Sequence, residues 1–148
     1  MGSRVRSQPK AAVFIDAENH ADLQVSALLR QLGRFDVVER HAYADWRNRG
    51  LDRLSERLSY AGFHLHHTWS GCNPGAHKDT ADGHMAQGIW QVVSRRPEIA
   101  VIVIVSGDGY FTHITRELRR LGKSVIVAAD SGRANHALRG LASQYLPC

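Results

Sequence analysis

The sequence has little cysteine and no long apolar run, and each lack excludes a class of protein. Its cysteines, Cys72 and Cys148, are too few for the disulfide framework of a small secreted domain. The longest apolar run, 99–105, is far shorter than the ~20 residues that span a bilayer. Since the N-terminal segment also lacks an apolar signal core, we expect a soluble, cytoplasmic protein that does not associate with a membrane.

Several chemical signatures are also missing. The chain has no Gly-x-Ser-x-Gly elbow and no Cys/His nucleophile pattern, which argues against a nucleophilic hydrolase. Gly107 and Gly109 form a short Gly-x-Gly after an apolar run, but without a third glycine they do not make a dinucleotide-binding motif. None of the nine histidines forms a ligand pair with the spacing of a structural zinc site, so surface histidines are the favoured interpretation.

Length and charge set broad limits. The 148 residues are enough for one domain with a sizeable core, and we expect a flexible N-terminal segment over 1–10 and a single domain over 11–148. The formal net charge of +5, from 19 Lys and Arg against 14 Asp and Glu, slightly favours a polyanionic partner.

Short β-branched runs alternate with helix-like segments along the whole chain. We expect strands near 12–16, 35–44, 63–69, 99–105 and 124–129, and a long loop over 70–77. Amphipathic patterns between them predict helices, including one over 78–95, one over 111–121 and a last one over 133–144. This alternation predicts a three-layer α/β/α sandwich with right-handed crossovers and a mainly parallel central sheet of about five strands.

Two of the apolar runs end in acid. The first, 11–19, reads Ala-Ala-Val-Phe-Ile-Asp-Ala-Glu-Asn, and the second, 101–108, reads Val-Ile-Val-Ile-Val-Ser-Gly-Asp. Such runs are typical of buried parallel strands, and open α/β sheets place their sites at the C-terminal tips of those strands. The candidate residues are Asp16, Asn19, Asp45 and Asp108 at strand tips, and Asp79 and Asp82 at the start of the helix after the loop.

Clustered carboxylates would need compensation. If Asp16, Asp82 and Asp108 converge to about 6 Å, each pair repels by roughly 3 kcal/mol at an effective dielectric near 20. The total of about 8 kcal/mol rivals the stability of a domain, so the cluster would need a cation or protonation. Oxygen-only ligands suit Mg²⁺ or Mn²⁺. Helix capping is the alternative for Asp16 and Asp108. Interaction with the N-terminal dipole of its helix is the favoured interpretation for Asp79, whereas Asp82 borders an apolar stripe and favours a functional role.

Basic and aromatic residues lie near the same strand ends. Solvated helix faces explain most of the basic ones, but Lys78 beside the acids is the best single candidate for holding a phosphate. Trp46 and Trp69 either stack on nucleic-acid bases or pack into the core as wedges, and the sequence leaves both open. The basic residues that follow the second strand are Arg47, Arg49, Arg53 and Arg57.

Four short motifs follow one another along the chain. They are Phe-Ile-Asp-Ala-Glu-Asn at 14–19, Ala-Tyr-Ala-Asp-Trp at 42–46, Lys-Asp-Thr-Ala-Asp at 78–82 and Val-Ser-Gly-Asp-Gly-Tyr-Phe at 105–111. In that order and spacing they resemble the NYN domain family, PIN-like ribonucleases related to the LabA proteins. The resemblance implies a PIN-like, Rossmann-like fold and a ribonuclease that hydrolyses RNA phosphodiester bonds with a water activated by Mg²⁺ or Mn²⁺.

The resemblance also implies roles for individual residues. Its metal-site positions fall on Asp16, Asn19, Asp82 and Asp108, and the three aspartates are the implied catalytic residues. The implied substrate-binding residues are Asn19, Asp45, Lys78 and Tyr110. RNA is the expected partner, and homo-oligomers, further domains and protein partners stay open.

Two departures from the family pattern reduce the negative charge of the implied site. Gly88 stands where the family has a further acid, and Tyr110 replaces the second acid of its Ser-Gly-Asp-x-Asp motif. A catalytically weakened module that binds RNA or a protein is therefore an alternative, and a small-molecule phosphohydrolase is a weaker one. His84 and His113 are candidates to assist proton transfer.

Overall fold

Uninterrupted β-branched runs form the middle of one parallel sheet. The computed structural model describes residues 7–69 and 77–148, with side chains in the second range from residue 81 onward. Its strands are β1 (Lys10–Asp16), β2 (Asp36–Ala44), β3 (His64–His67), β4 (Val101–Val105), β5 (Ser124–Ala129) and β6 (Gln144–Pro147). Its helices are α1 (Val25–Gln31), α2 (Asp52–Tyr60), α3 (His77–Arg95), α4 (Thr112–Arg120) and α5 (His136–Leu141), with single 3₁₀ turns at Arg49–Leu51 and Gly109–Phe111.

The strand order decides where a crevice forms. The sheet runs β3-β2-β1-β4-β5-β6, and every neighbouring pair is parallel. The chain therefore winds outward from β1 in one direction and from β4 in the other. The connections leave β1 and β4 on opposite sides, so a crevice opens beyond the carboxyl ends of these strands. The acid-tipped runs of the sequence are these two central strands.

Side chains that alternate along the strands build a core on each face of the sheet. On one face, Val13 and Ile15 of β1 pack in a cluster with residues of α1 and α2. On the other face, Phe14 packs in a second cluster with residues of α3, α4 and α5. The predicted three-layer α/β fold is confirmed. In the described part of the chain, no helix is long and apolar enough to cross a membrane.

The C-terminal part of the chain differs from the sequence prediction. The last helix, predicted over 133–144, spans only His136–Leu141, and the chain then adds the sixth strand, Gln144–Pro147, beside β5. This strand is short and only half-buried, so its sequence shows no clear alternation of apolar and polar residues. It is stabilised by pairing with β5. The predicted loop over 70–77 lies almost entirely outside the described residues, as do the first six residues of the N-terminal segment.

Close packing of α3 on β2 explains Gly88. A Cβ added at Gly88 would overlap the hydroxyl oxygen of Tyr43 and would lie 3.1 Å from its Cζ atom. Tyr43 is buried, and burial raises the pKa of its hydroxyl to about 12. The space that an acid would need at position 88 is therefore already filled by the tyrosine hydroxyl.

We expect Gly88→Ala to lower the free energy of unfolding by about 1–3 kcal/mol, because overpacking outweighs the gain in helix propensity. In a Tyr43→Phe background the same substitution should cost much less, since the overlapping oxygen is gone. Urea unfolding of the four proteins measures this coupling. The matched control is Gly140→Ala in α5, where an added Cβ meets nothing within 4 Å and alanine should stabilise. Equal stabilisation by both alanines would contradict the packing argument.

Candidate functional site

The first element of the site is a buried carboxylate at the end of β1. Asp16 is 5% exposed, and its Oδ2 atom accepts a hydrogen bond from Asn19 Nδ2 at 2.8 Å and another from Ser106 Oγ at 3.2 Å. Asp16 pairs in register with Tyr43, one residue beyond Ile15 of the opposite core cluster, so its side chain lies on the α3 side of the sheet. Its hydrogen bonds come from the side chains of Asn19 and Ser106, so it caps no helix among the described residues.

Ser106 joins the tips of the two central strands. It is fully buried just after β4, and its hydroxyl donates to Asp16 Oδ2 while accepting a hydrogen bond from the Asp108 main-chain N–H at 3.2 Å. Asp108 in turn accepts a hydrogen bond from the main-chain N–H of Tyr110 through Oδ1 at 2.9 Å. Asp108 thus caps the 3₁₀ turn, as the alternative interpretation held, and still lines the cleft described next.

A cleft of about 170 Å³ lies over these residues, at the position where the strand order reverses. It brings together Asp16, Asn19 and Asp108, which the sequence analysis had selected. His20 and Arg133 also line it, and the sequence analysis missed both, although His20 directly follows Asn19. The described residues that line the cleft are Asp16, Asn19, His20, Ser106, Gly107, Asp108, Ala129, Asp130 and Arg133.

The glycines on either side of Asp108 allow the loop after β5 to close one wall of the cleft. A Cβ at Gly107 would lie 3.0 Å from the Cα of Ala134, and one at Gly109 would lie 2.7 Å from Nδ2 of Asn135. The main-chain N–H of Asn135 also donates to the carbonyl oxygen of Gly107 at 2.9 Å. The Gly-x-Gly pattern therefore allows close packing of this loop.

The predicted site residues of α3 are not part of the described cleft lining. Asp82 is 9% exposed and lies on the same helical stripe as the buried Met85 and Ile89, which face the sheet. It is not among the described residues that line the cleft around Asp16. Lys78 and Asp79 belong to the first turn of α3, and their side chains lie outside the described residues.

Asp45 and Tyr110, two of the predicted substrate-binding residues, are not among the described residues that line the cleft. Asp45 is 5% exposed and accepts hydrogen bonds from the Arg47 guanidinium through both carboxylate oxygens, at 2.9 and 2.6 Å. Tyr110 is 45% exposed, and its hydroxyl lies 3.8 Å from where a Cβ of Gly83 would be. Tyr110 therefore reaches from the 3₁₀ turn to α3, beside Asp82.

The donors in the cleft have the chemistry of a hard-cation site. Among the described residues, Asp16 forms no ion pair with lysine, arginine or histidine, although it is buried. Carboxylate, amide and hydroxyl oxygens are what Mg²⁺ prefers, and Mg²⁺ is commonly held by one or two carboxylates and several waters. Within residues 7–69 and 81–148, no group of three or more His, Cys, Asp or Glu side chains is arranged to hold a metal ion. The residues therefore fit a sparsely ligated, hydrated ion rather than a cage of carboxylates.

A separate histidine cluster covers the edge of the sheet at β2 and β3. The ring of His66 stacks on Tyr43 with centroids 4.4 Å apart, and its Nε2 lies 2.8 Å from Nδ1 of His41. His41 also contacts Glu39 at 2.7 Å. Burial, with the neighbouring charges of His41, His64 and His84, lowers the pKa of His66 to about 4. His41 and His66 are partly buried in this cluster, so they are not the surface histidines that the sequence favoured.

The fold and the cleft together define the class of protein. This is a parallel α/β domain with an acidic, oxygen-lined cleft where its winding reverses. The chain belongs to the NYN domain family, whose family model matches residues 10–147. Domains of this family are generally nuclease-like or RNA-related.

A solved structure supports the fold independently. The chain is similar to a crystal structure of a protein of unknown function, VPA0982, from Vibrio parahaemolyticus RIMD 2210633. The TM-score is 0.78 at 19% sequence identity, over 99% of this chain and 96% of that one. At this identity the likeness shows the fold alone. A comparison with curated proteins found no match.

Removing the Ser106 hydroxyl tests the link between the two strand tips. We expect Ser106→Ala to lower the free energy of unfolding by about 1–2 kcal/mol, because a buried carboxylate and a main-chain N–H each lose a partner. Chemical denaturation at neutral pH measures the loss. Ser124→Ala, at the exposed start of β5, is the matched control. Identical unfolding midpoints for the two variants would show that the link contributes nothing.

The histidine cluster predicts a specific acid sensitivity. Because the pKa of His66 is lower in the folded chain than its ordinary 6.5, the unfolded chain binds more protons between pH 6.5 and about 4. Stability should therefore fall as the pH drops through that window. Although burial opposes the shift, hydrogen bonds from His41 and Arg96 lower the pKa of Glu39, so its contribution is lost only below its ordinary 4.5.

Thermal unfolding across this pH range should show a shallower loss for His66→Gln than for the unsubstituted chain. The control is His136→Gln, at the exposed start of α5, which should keep the original pH dependence. If His66→Gln leaves the slope between pH 6.5 and 4 unchanged, the acid sensitivity comes from other groups.

Proposed function

We propose that this chain is a divalent-metal-dependent ribonuclease that hydrolyses RNA phosphodiester bonds with a metal-activated water. The supporting observation is the buried Asp16 carboxylate, which has no cationic partner among the described residues and is held by Asn19 and Ser106 beside Asp108. Membership of a family that is generally nuclease-like supports the reaction class.

The proposed ligands are few. Asp16 and Asp108 would hold Mg²⁺ or Mn²⁺ from the tips of β1 and β4, with Asn19 as a neutral or water-mediated ligand. Asp82 would act from the α3 side, as the family resemblance implies. When bound, the metal lowers the pKa of its water and offsets the charge that develops on the phosphate.

The chain itself supplies the orientation of the acids and a proton acceptor. Two hydrogen bonds fix Oδ2 of Asp16 and leave its Oδ1 for the cleft. The Nδ1 atom of His20 lies 2.8 Å from the Asp16 carbonyl oxygen, which can only accept, so Nδ1 carries the proton and Nε2 has the free lone pair. His20 is therefore better placed to accept a proton from the attacking water than His84 or His113, which do not line the cleft.

Arg133 provides positive charge opposite the carboxylates. Its side chain is 78% exposed, and its Nε lies 3.8 Å from Asp130 Oδ2 at the rim of the cleft. An exposed guanidinium in this position can contact a phosphate of the RNA backbone while the acids hold the metal. This arrangement suits a polyanionic substrate whose scissile phosphate enters between β1 and β4.

The alternative is a domain that binds RNA without cutting it. It is favoured by the Tyr43 hydroxyl, which fills the space of the missing acid at Gly88, and by Tyr110, which replaces another acid of the family pattern. Fewer carboxylates hold a second metal less well. Such a domain would bind RNA in EDTA with salt-sensitive affinity and would cleave in no divalent ion.

RNA cleavage in Mg²⁺, Mn²⁺ or EDTA, with Asp16→Asn beside the unsubstituted chain, tests the proposal. We expect metal-dependent cleavage that Asp16→Asn reduces at least about 100-fold, because a ligand of the proposed metal is lost. Asp36→Asn, at the exposed start of β2 and the opposite end of the sheet, should cleave normally. An Asp16→Asn protein that cleaves as fast as the unsubstituted chain would sink the assignment, and RNA binding without turnover in any metal would favour the alternative.

A further inference from the structure

Trp46 and Trp69, which the sequence analysis could not separate, have different environments. Trp46 is half-buried, packs against the core beneath α1 and α2, and donates from its indole Nε1 to the His66 carbonyl oxygen at 2.9 Å. Trp69 lies just beyond β3 and is 60% exposed. Exposure alone does not distinguish Trp69 from other surface aromatics such as Tyr60, but its neighbours do.

Trp69 forms a stack with the guanidinium of Arg47, and His67 packs against the same ring. The guanidinium carbon of Arg47 lies 4.5 Å from the centre of its ring, and the ring of His67 meets it edge-on at 4.3 Å. Arg47 therefore covers part of one face of the indole, and the ring of His67 packs against it at a steep angle. The residue is still 60% exposed, so much of the ring surface is open to a stacking nucleic-acid base.

Asp45 fixes the orientation of the Arg47 side chain in this stack. Its Oδ1 accepts from the Arg47 main-chain N–H at 3.1 Å and from Nε at 2.9 Å, while Oδ2 accepts from Nη2 at 2.6 Å. The main-chain N–H of Asp45 donates to Glu18 Oε1 at 2.9 Å, which ties the turn to the loop that carries Asn19. The guanidinium is thus oriented before any ligand arrives, so little side-chain entropy is lost on stacking.

The stack lies at the carboxyl end of the sheet, as does the acidic cleft. β3 is two strands away from β1 in the sheet order, and a spacing of about 4.8 Å per strand separates their tips by roughly 10 Å. Arg49 and Arg53 are exposed on the adjoining turn and the start of α2. A single-stranded polyanion that enters the cleft can therefore cross these basic residues at the carboxyl end of the sheet and reach Trp69.

We propose that Trp69, backed by Arg47 and positioned by Asp45, is a base-stacking site for single-stranded RNA, a few nucleotides along the strand from the phosphate in the acidic cleft. The proposal rests on the ribonuclease function proposed above for its ligand class. Duplex RNA keeps its bases stacked on one another and would not offer one to the indole.

The test measures RNA binding without cleavage. A short fluorescein-labelled single strand of mixed sequence is titrated in EDTA, and anisotropy gives Kd for the unsubstituted chain and each variant. From the binding free energy that one base stacked on an aromatic ring contributes, we expect Trp69→Ala to weaken binding roughly 5- to 150-fold. Trp69→Phe should recover most of the affinity, and duplex RNA should bind equally to all variants.

The chain offers a matched control. Tyr60 is a 97% exposed aromatic residue at the end of α2, near the amino end of the strands and away from the cleft. Tyr60→Ala should therefore bind RNA normally. Tryptophan emission should be quenched by the single strand in the unsubstituted chain and much less in Trp69→Phe. Circular dichroism melts confirm that each variant is folded.

The outcomes separate this proposal from the ribonuclease assignment. If Trp69→Ala binds single-stranded RNA as tightly as Tyr60→Ala does, the stacking site is overturned, whether or not the chain cleaves RNA, and Trp69 is left to contact a protein. If binding depends on Trp69 but no cleavage occurs in Mg²⁺ or Mn²⁺, the stacking site stands and the ribonuclease assignment fails.

Discussion

The burial of the Asp16 carboxylate is the constraint on which the site depends. A carboxylate at the end of a central strand is surrounded by apolar neighbours, and its charge must be compensated by hydrogen bonds or a cation. Asn19 and Ser106 supply hydrogen bonds to one oxygen, and Ser106 also ties the β4 tip to β1 through the Asp108 main chain. The tips of these two strands are therefore joined by polar contacts beneath the cleft, and Asp16 and Asp108 both line it.

The two departures from the family pattern have structural counterparts. Position 88 has no room for an acid because the Tyr43 hydroxyl fills the space between α3 and the sheet. Tyr110 extends toward Gly83 in the first half of α3. Both tyrosines thus lie against α3, and the described lining of the cleft has three carboxylates, those of Asp16, Asp108 and Asp130.

Some features were predictable because they depend on neighbours in the sequence. The runs that became β1, β4 and β5 are short and almost continuously apolar, and their burial on both faces follows from that composition. The strand β6 was missed because Gln144–Pro147 is short and half-exposed, and only its pairing with β5 makes it a strand. Asp108 carried two interpretations that proved compatible, since one oxygen caps a turn while the residue also lines the cleft.

The sequence by itself determined the alternation of strands and helices, the acids at two strand tips and the family, because these follow from local composition and ordered short motifs. Only the tertiary structure decided which distant residues meet. The strand order placed Asp16 beside Ser106 and Asp108, brought His20 and Arg133 to the same cleft, and left Trp46 half-buried and Trp69 exposed. Contacts between residues far apart in the chain depend on the winding of the whole sheet, and no local pattern encodes that winding.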